Sequence, residues 1–237
     1  MTALPTLEST YVDTRNALHR IAVYVMWSAR FPVDGRFRLT PTPGGFGFQN
    51  VGADGLGVRV DGTELIVERS GAVSRTPLTT LVAALAAAAV ELDAERSTES
   101  DVPPAGDAGA PLAIDPVAAR ALANWFEFSK DVLGVLISDS PDSASEMILW
   151  PEHFDCAFDH GSEVDGSRGT YGASPGDANT PEPYLYVLPW RGTLGAGFWN
   201  AEGFDGAWLH YRDLGDQPHE RAIAFFRDAR HHLTESR

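Results

Sequence analysis

Five polar residues crowd one short stretch of this chain: Glu152, His153, Asp155, Asp159 and His160. Imidazoles beside carboxylates can pass a proton or converge on an ion. Glu152, His153 and Asp155 are therefore the candidate catalytic residues, and no set of metal ligands is assigned. Pro151 holds Trp150 extended, and a strand starting near His153 would put His153, Asp155 and Asp159 on one face, with His153 and Asp155 about 6–7 Å apart. On that phase they look toward water or a cleft, while Phe154, Cys156 and Phe158 face the core and Cys156 is an inert buried thiol. A solvated strand face with a capping histidine explains the same pattern without any chemistry. His19 and His210 could swing toward His153, but only their residue type argues for it.

A second set is aromatic. Trp150, Tyr171, Tyr186, Trp190 and Trp199, with Asn200, fall within about fifty residues, and Tyr184, Tyr186 and Trp190 share one parity of a strand. Such residues can line a concave site that offers indole and phenol donors, and they are the candidate ligand-binding residues. Core packing is the competing explanation. Between them runs Gly169-Thr170-Tyr171-Gly172-Ala173-Ser174-Pro175-Gly176-Asp177, read as a long glycine-rich loop, either functional or a structural Ω-like one.

Other chemistries lack their signatures. The sequence has no Gly-x-Gly-x-x-Gly, no P-loop and no His-Glu-x-x-His. Lys130 is the sole lysine and Cys156 the sole cysteine, so an internal disulfide and a multi-thiolate zinc site are excluded. Eighteen basic against 33 acidic residues give a net charge of −15, which repels phosphates and anionic lipid. Nucleic acid and membrane are thus not expected partners. The start of the chain lacks the basic and apolar regions of a signal peptide, and no apolar run reaches the roughly 20 residues of a bilayer span. A cytoplasmic location is expected.

The elements that must position these residues can be read from periodicity. Leu18, Ile21, Ala22, Val25 and Met26 recur at helical spacing from Thr14, with Pro32 as the expected stop. Residues 36–77 change to short runs broken by Gly45, Asp54-Gly55 and Asp61-Gly62, an antiparallel meander of three to five strands. Leu78–Glu91 is an alanine-rich helix. Residues 94–114, rich in Pro, Gly and acid, read as a linker. Asp115-Pro116 then opens a long helix through Leu122, Trp125, Phe126, Val132 and Leu136. Short strands follow at 147–150, 154–158, 184–190 and 207–211, and a last helix spans 218–233. The expected fold is α+β, with two related halves packed as one globule. Residues 1–93 form a scaffold half, 94–114 the linker, and 115–237 the half carrying the candidate site. Each half has antiparallel strands flanked by helices. A short echo, Leu39-Thr40-Pro41 against Leu149-Trp150-Pro151, fits a duplication.

Thr14-Arg15-Asn16-Ala17-Leu18-His19, Trp150-Pro151-Glu152-His153-Phe154-Asp155 and Ala196-Gly197-Phe198-Trp199 resemble segments of a largely actinobacterial family of proteins without known activity (DUF5996-like), marked by a Trp-Pro-x-His-Phe-Asp run. The resemblance implies one chain of about this length and brings no reaction, cofactor or residue role. Three functions stay open. The leading one is binding of a small organic ligand in an aromatic-lined cleft of the second half. The others are a metal-dependent or general acid/base enzyme centred on His153 and Asp155, and a structural or partner-binding protein. The sequence names no cofactor and no oligomeric state.

Overall fold

Gly62 takes a left-handed φ of 60° between β3 (Leu56–Asp61) and β4 (Glu64–Arg69), and Asp61 pairs directly with Glu64. Gly62 thus fills the first of the two turn positions, where a tight hairpin of this kind favours glycine, and Asp61 ends the strand before it. In this computed structural model, which describes residues 4–98, 102–192 and 197–235, that hairpin is the centre of a five-stranded sheet. β1 (Thr40–Thr42) and β2 (Gly45–Val51) precede it, β5 (Ala72–Pro77) follows, and the order β1-β2-β3-β4-β5 is a plain antiparallel meander. The second sheet repeats the plan. β6 (Ile148–Trp150), β7 (Asp155–His160), β8 (Gly169–Ser174), β9 (Tyr184–Pro189) and β10 (Ala207–His210) also lie in chain order. The fold is therefore α+β with two similar halves, each an antiparallel sheet flanked by helices, and the two sheets share one strand order.

The helices follow their capping chemistry. α1 (Tyr11–Arg20) runs through a π-helical stretch, Ile21–Trp27, into α2 (Ser28–Asp34). Every residue of the π stretch is buried, so this segment has no solvent face. The helix continues two residues past Pro32, because a proline near the end forfeits only one bond. Gly35, at φ 69°, closes it by donating to the Phe31 carbonyl. α3 (Leu81–Ala88) is shorter than its alanine content suggests. Thr80 caps its start by accepting from the Ala83 N–H at 3.0 Å, and left-handed Ala89 ends it. Asp115 caps α4 (Pro116–Asp139), accepting from the N–H groups of Val117 and Ala118 at 2.9 Å each. α5 (Pro218–Glu235) closes the described chain.

Trp125 sits on the apolar stripe of α4, only 1% exposed. Trp125→Ala is expected to cost about 3–5 kcal/mol, through lost burial and the cavity left behind. Urea melts measure it, and a loss under about 1 kcal/mol would contradict the packing.

Two compact units interleave along the chain. The first comprises Leu7–Glu127 and Leu149–Phe154. The second comprises residues 4–6, Phe128–Ile148 and the described part of Asp155–Arg237. Residues 94–114 thus fall inside the first unit, with a 3-10 turn over Ala94–Thr98, and α4 contributes a part to each unit. The leucines of the sequence echo meet within the first unit. Leu39 and Leu149 exchange reciprocal backbone hydrogen bonds of 2.9 Å.

One expectation is overturned. Residues 169–174 form no loop but β8, paired on both sides with β7 and β9. Its glycines suggested a turn; Gly172 in fact leaves room for a ring from the neighbouring strand, as described below. Among the described residues no helix is long and apolar enough to cross a membrane.

Candidate functional site

The register of the second sheet decides what each face carries. Phe158, Tyr171, Val187 and Ala207 are successive cross-strand partners, all at most 2% exposed. They form the core face, and Tyr171 meets Phe226 of α5 at 6.0 Å between ring centroids. Ala157, Gly172, Tyr186 and Trp208 are the partners one step along, so they share the opposite face. Asp155, Ser174, Tyr184 and His210 lie on that face too.

Tyr186 organises this face. Its ring passes over Gly172, so close that a methyl group there would collide with both ring and hydroxyl. Crossing β8 in this way, the phenol donates a short hydrogen bond to the Asp155 carboxylate, which is 5% exposed. Burial, reinforced by the Asp155 charge, pushes the Tyr186 phenol well above its ordinary range, so it stays a neutral donor. Tyr184 does the same with Asp177, donating at 2.6 Å, and burial again raises its phenol first. Asp177 is itself held by the N–H groups of Asn179 at 2.6 Å and Thr180 at 2.8 Å.

Four half-buried rings close a circuit beside these carboxylates. Tyr184 lies 6.2 Å from Tyr186, Tyr186 6.3 Å from Phe204, Phe204 5.9 Å from Trp208, and Trp208 6.0 Å from Tyr184. Successive planes are inclined at 55°, 83°, 80° and 71°. His210 packs on Trp208 at 4.6 Å, and the Asn200 side-chain oxygen accepts from the backbone N–H of Trp208 at 3.0 Å.

The residues expected from the sequence scatter relative to this cluster. Tyr186 and Asn200 belong to it. Trp190 lies 48% exposed on the same parity, under the Arg168 guanidinium at 4.2 Å, and donates to Thr170 at 3.1 Å, which in turn donates to Asp159 at 2.8 Å. Tyr171 is on the core face. Trp199 stacks edge-on with Phe198 at 5.2 Å and approaches His232. Trp150 belongs to the first unit, 5.8 Å from Phe37. Phe204, Trp208 and Asp177 lie outside the expected set. The alternation of Trp208 with His210 echoes that of Tyr184 with Tyr186 and was the available signal.

His153 does not share a strand face with Asp155 and Asp159. The strand starts at Asp155, and 151–154 is a turn closed by the Phe154 N–H donating to the Trp150 carbonyl at 2.7 Å. His153 is exposed on that turn, Glu152 is half-buried, and Asp155 is buried in the second unit. The alternation argument failed because Phe154 is left-handed, at φ 58°, which breaks the strand phase.

That turn is pinned by His19. Its Nε2–H donates to the carbonyls of Pro151 at 2.8 Å and Glu152 at 3.1 Å, and its ring stacks on Phe154 at 4.8 Å and 4°. The two segments Thr14–His19 and Trp150–Phe154 are thus physically joined through a structural histidine. Burial is the main cause lowering His19 to about 4, and burial with the Arg230 charge lowers His160 to about 4 as well. Unfolded, both would take up protons near 6.5, so the unfolded chain binds more protons between about 4 and 6.5. The stability that rests on their neutral forms is complete above pH 6.5 and is lost as the pH falls toward 4. Urea midpoints should drop across that window. His19→Gln, which keeps a donor for the two carbonyls, should flatten the slope, and an unchanged slope would count against the assignment.

Among the described residues, no group of three His, Cys, Asp or Glu side chains is placed to hold a metal ion. Cys156 is buried and its thiol is raised well above its usual range by burial. No protein-family model, curated protein or solved structure matches this chain.

Proposed function

We propose that the second unit binds a small organic ligand on the aromatic and acidic face of its sheet. The observation that carries this reading is the circuit of Tyr184, Tyr186, Phe204 and Trp208, half-buried beside two carboxylates. A face used only for packing has no need of phenols fixed by carboxylates or of an indole left partly open. Rings that expose apolar area next to fixed polar groups are the usual lining of a small-molecule site. The Tyr186 bond to Asp155 and the Tyr184 bond to Asp177 lock two ring positions in advance, which lowers the ordering cost of binding.

A thermal-shift and tryptophan-fluorescence screen against a metabolite library tests the reading. At least one compound should raise the melting temperature saturably, and Trp208→Leu should abolish that shift while leaving the unliganded melt close to wild type. Silence across a broad library, or shifts indifferent to Trp208, would sink it.

A further inference from the structure

We propose that the ligand of this face is a small methylated ammonium compound, held by cation–π contact with the four rings; this rests on the small-molecule reading above. Successive centroids around the circuit are only 5.9–6.3 Å apart, comparable with the ~6 Å reach of a cation over an aromatic ring. Successive planes are inclined by 55–83°, so the four rings are not piled in parallel. The negative face of an aromatic ring attracts such a cation, most strongly for Trp and Tyr.

Charge points the same way. The hydroxyls of Tyr186 and Tyr184 donate to Asp155 and Asp177, so two carboxylates stand behind two of the rings and add negative potential to the site. An anionic ligand would meet those carboxylates and a chain of net charge −15. The protein's own cations go elsewhere. Among the described residues, guanidinium-over-ring contacts fall on Phe48, Trp27 and Trp190 and on none of these four rings.

The choice of a methylated over a primary ammonium follows from hydrogen bonding. A primary ammonium brings three N–H donors that must each find an acceptor. One oxygen of each carboxylate already accepts from a phenol, and the other Asp177 oxygen accepts from two backbone N–H groups. Methylation removes those donors and spreads the charge over apolar surface that aromatic rings accept.

Isothermal titration and Trp208 fluorescence with choline and tetramethylammonium, set against 3,3-dimethylbutanol as the neutral isostere of choline, test the proposal on the full chain. Choline should bind saturably and at least tenfold more tightly than the neutral alcohol. Phe204→Leu and Trp208→Phe should each weaken choline at least fivefold, with urea melts showing both variants folded. If either variant unfolds, Asp177→Asn serves in its place, with the same loss expected. Equal binding of the isostere would overturn the ammonium assignment, as would choline affinity indifferent to these variants. A neutral or anionic hit from the metabolite screen that depends on Trp208, without ammonium binding, overturns the ammonium class and leaves the small-molecule reading standing. No response to any compound ends both.

Discussion

Phe154→Ala is expected to lower stability by about 3–5 kcal/mol, while His153→Ala beside it changes stability by no more than about 0.5 kcal/mol. Phe154 is 1% exposed and meets Phe46 at 5.0 Å and Phe126 at 5.3 Å, each edge-on, with those two 5.7 Å apart. The stacked His19 ring completes its surroundings. Truncation removes all of these contacts at once and opens a cavity among rings that cannot collapse freely. It also releases the turn, because the ring is what holds a left-handed residue in place. His153 is exposed on the same turn. Urea melts of both variants beside wild type provide the measurement. Comparable losses from the two, or a loss under about 1 kcal/mol for Phe154→Ala, would show that the turn is not anchored through Phe154.

The fold was largely legible because its signals are local. Asp61-Gly62 marked its hairpin, Asp115-Pro116 opened α4, and the five short runs of residues 36–77 correspond to β1 to β5. The site was less legible because it depends on cross-strand register and on one backbone conformation. Alternation assigned His153 and Asp155 to one face, and a left-handed Phe154 cancelled that phase. Proximity in sequence grouped Trp150, Tyr171 and Trp199 with Tyr186. In the fold, Tyr171 takes the core face of β8 and Trp150 joins the first unit. No spacing rule could bring Phe204 and Asp177 beside Tyr184 and Tyr186, since those contacts are made by loops outside the strands. Glycine was the most misleading residue type. It signalled a loop at 169–177, where Gly172 leaves a central strand open to a neighbouring side chain.

Gly172→Ala carries the second large expected effect, a loss of about 2–4 kcal/mol. The added methyl meets the Tyr186 ring and hydroxyl. A ring displaced from a packed position costs typically 1–3 kcal/mol, and severing a hydrogen bond to a charged acceptor costs about 1.5–3 kcal/mol, only part of it additive. The backbone conformation of Gly172 is not itself a source of strain, since its φ is not in the left-handed region. The whole effect should therefore run through Tyr186, and a double-mutant cycle isolates it. In a Tyr186→Ala background there is no ring to displace and no phenol bond to lose, so Gly172→Ala should change stability by less than about 0.5 kcal/mol, or raise it slightly by stiffening the unfolded chain. A coupling energy near zero would mean that the glycine serves the strand and not the ring. A coupling of about 2 kcal/mol or more would establish that the missing side chain on β8 is what lets Tyr186 reach Asp155. The same displacement should carry Tyr186 out of the four-ring circuit, so Gly172→Ala ought to weaken a ligand held there even at temperatures where the variant remains folded.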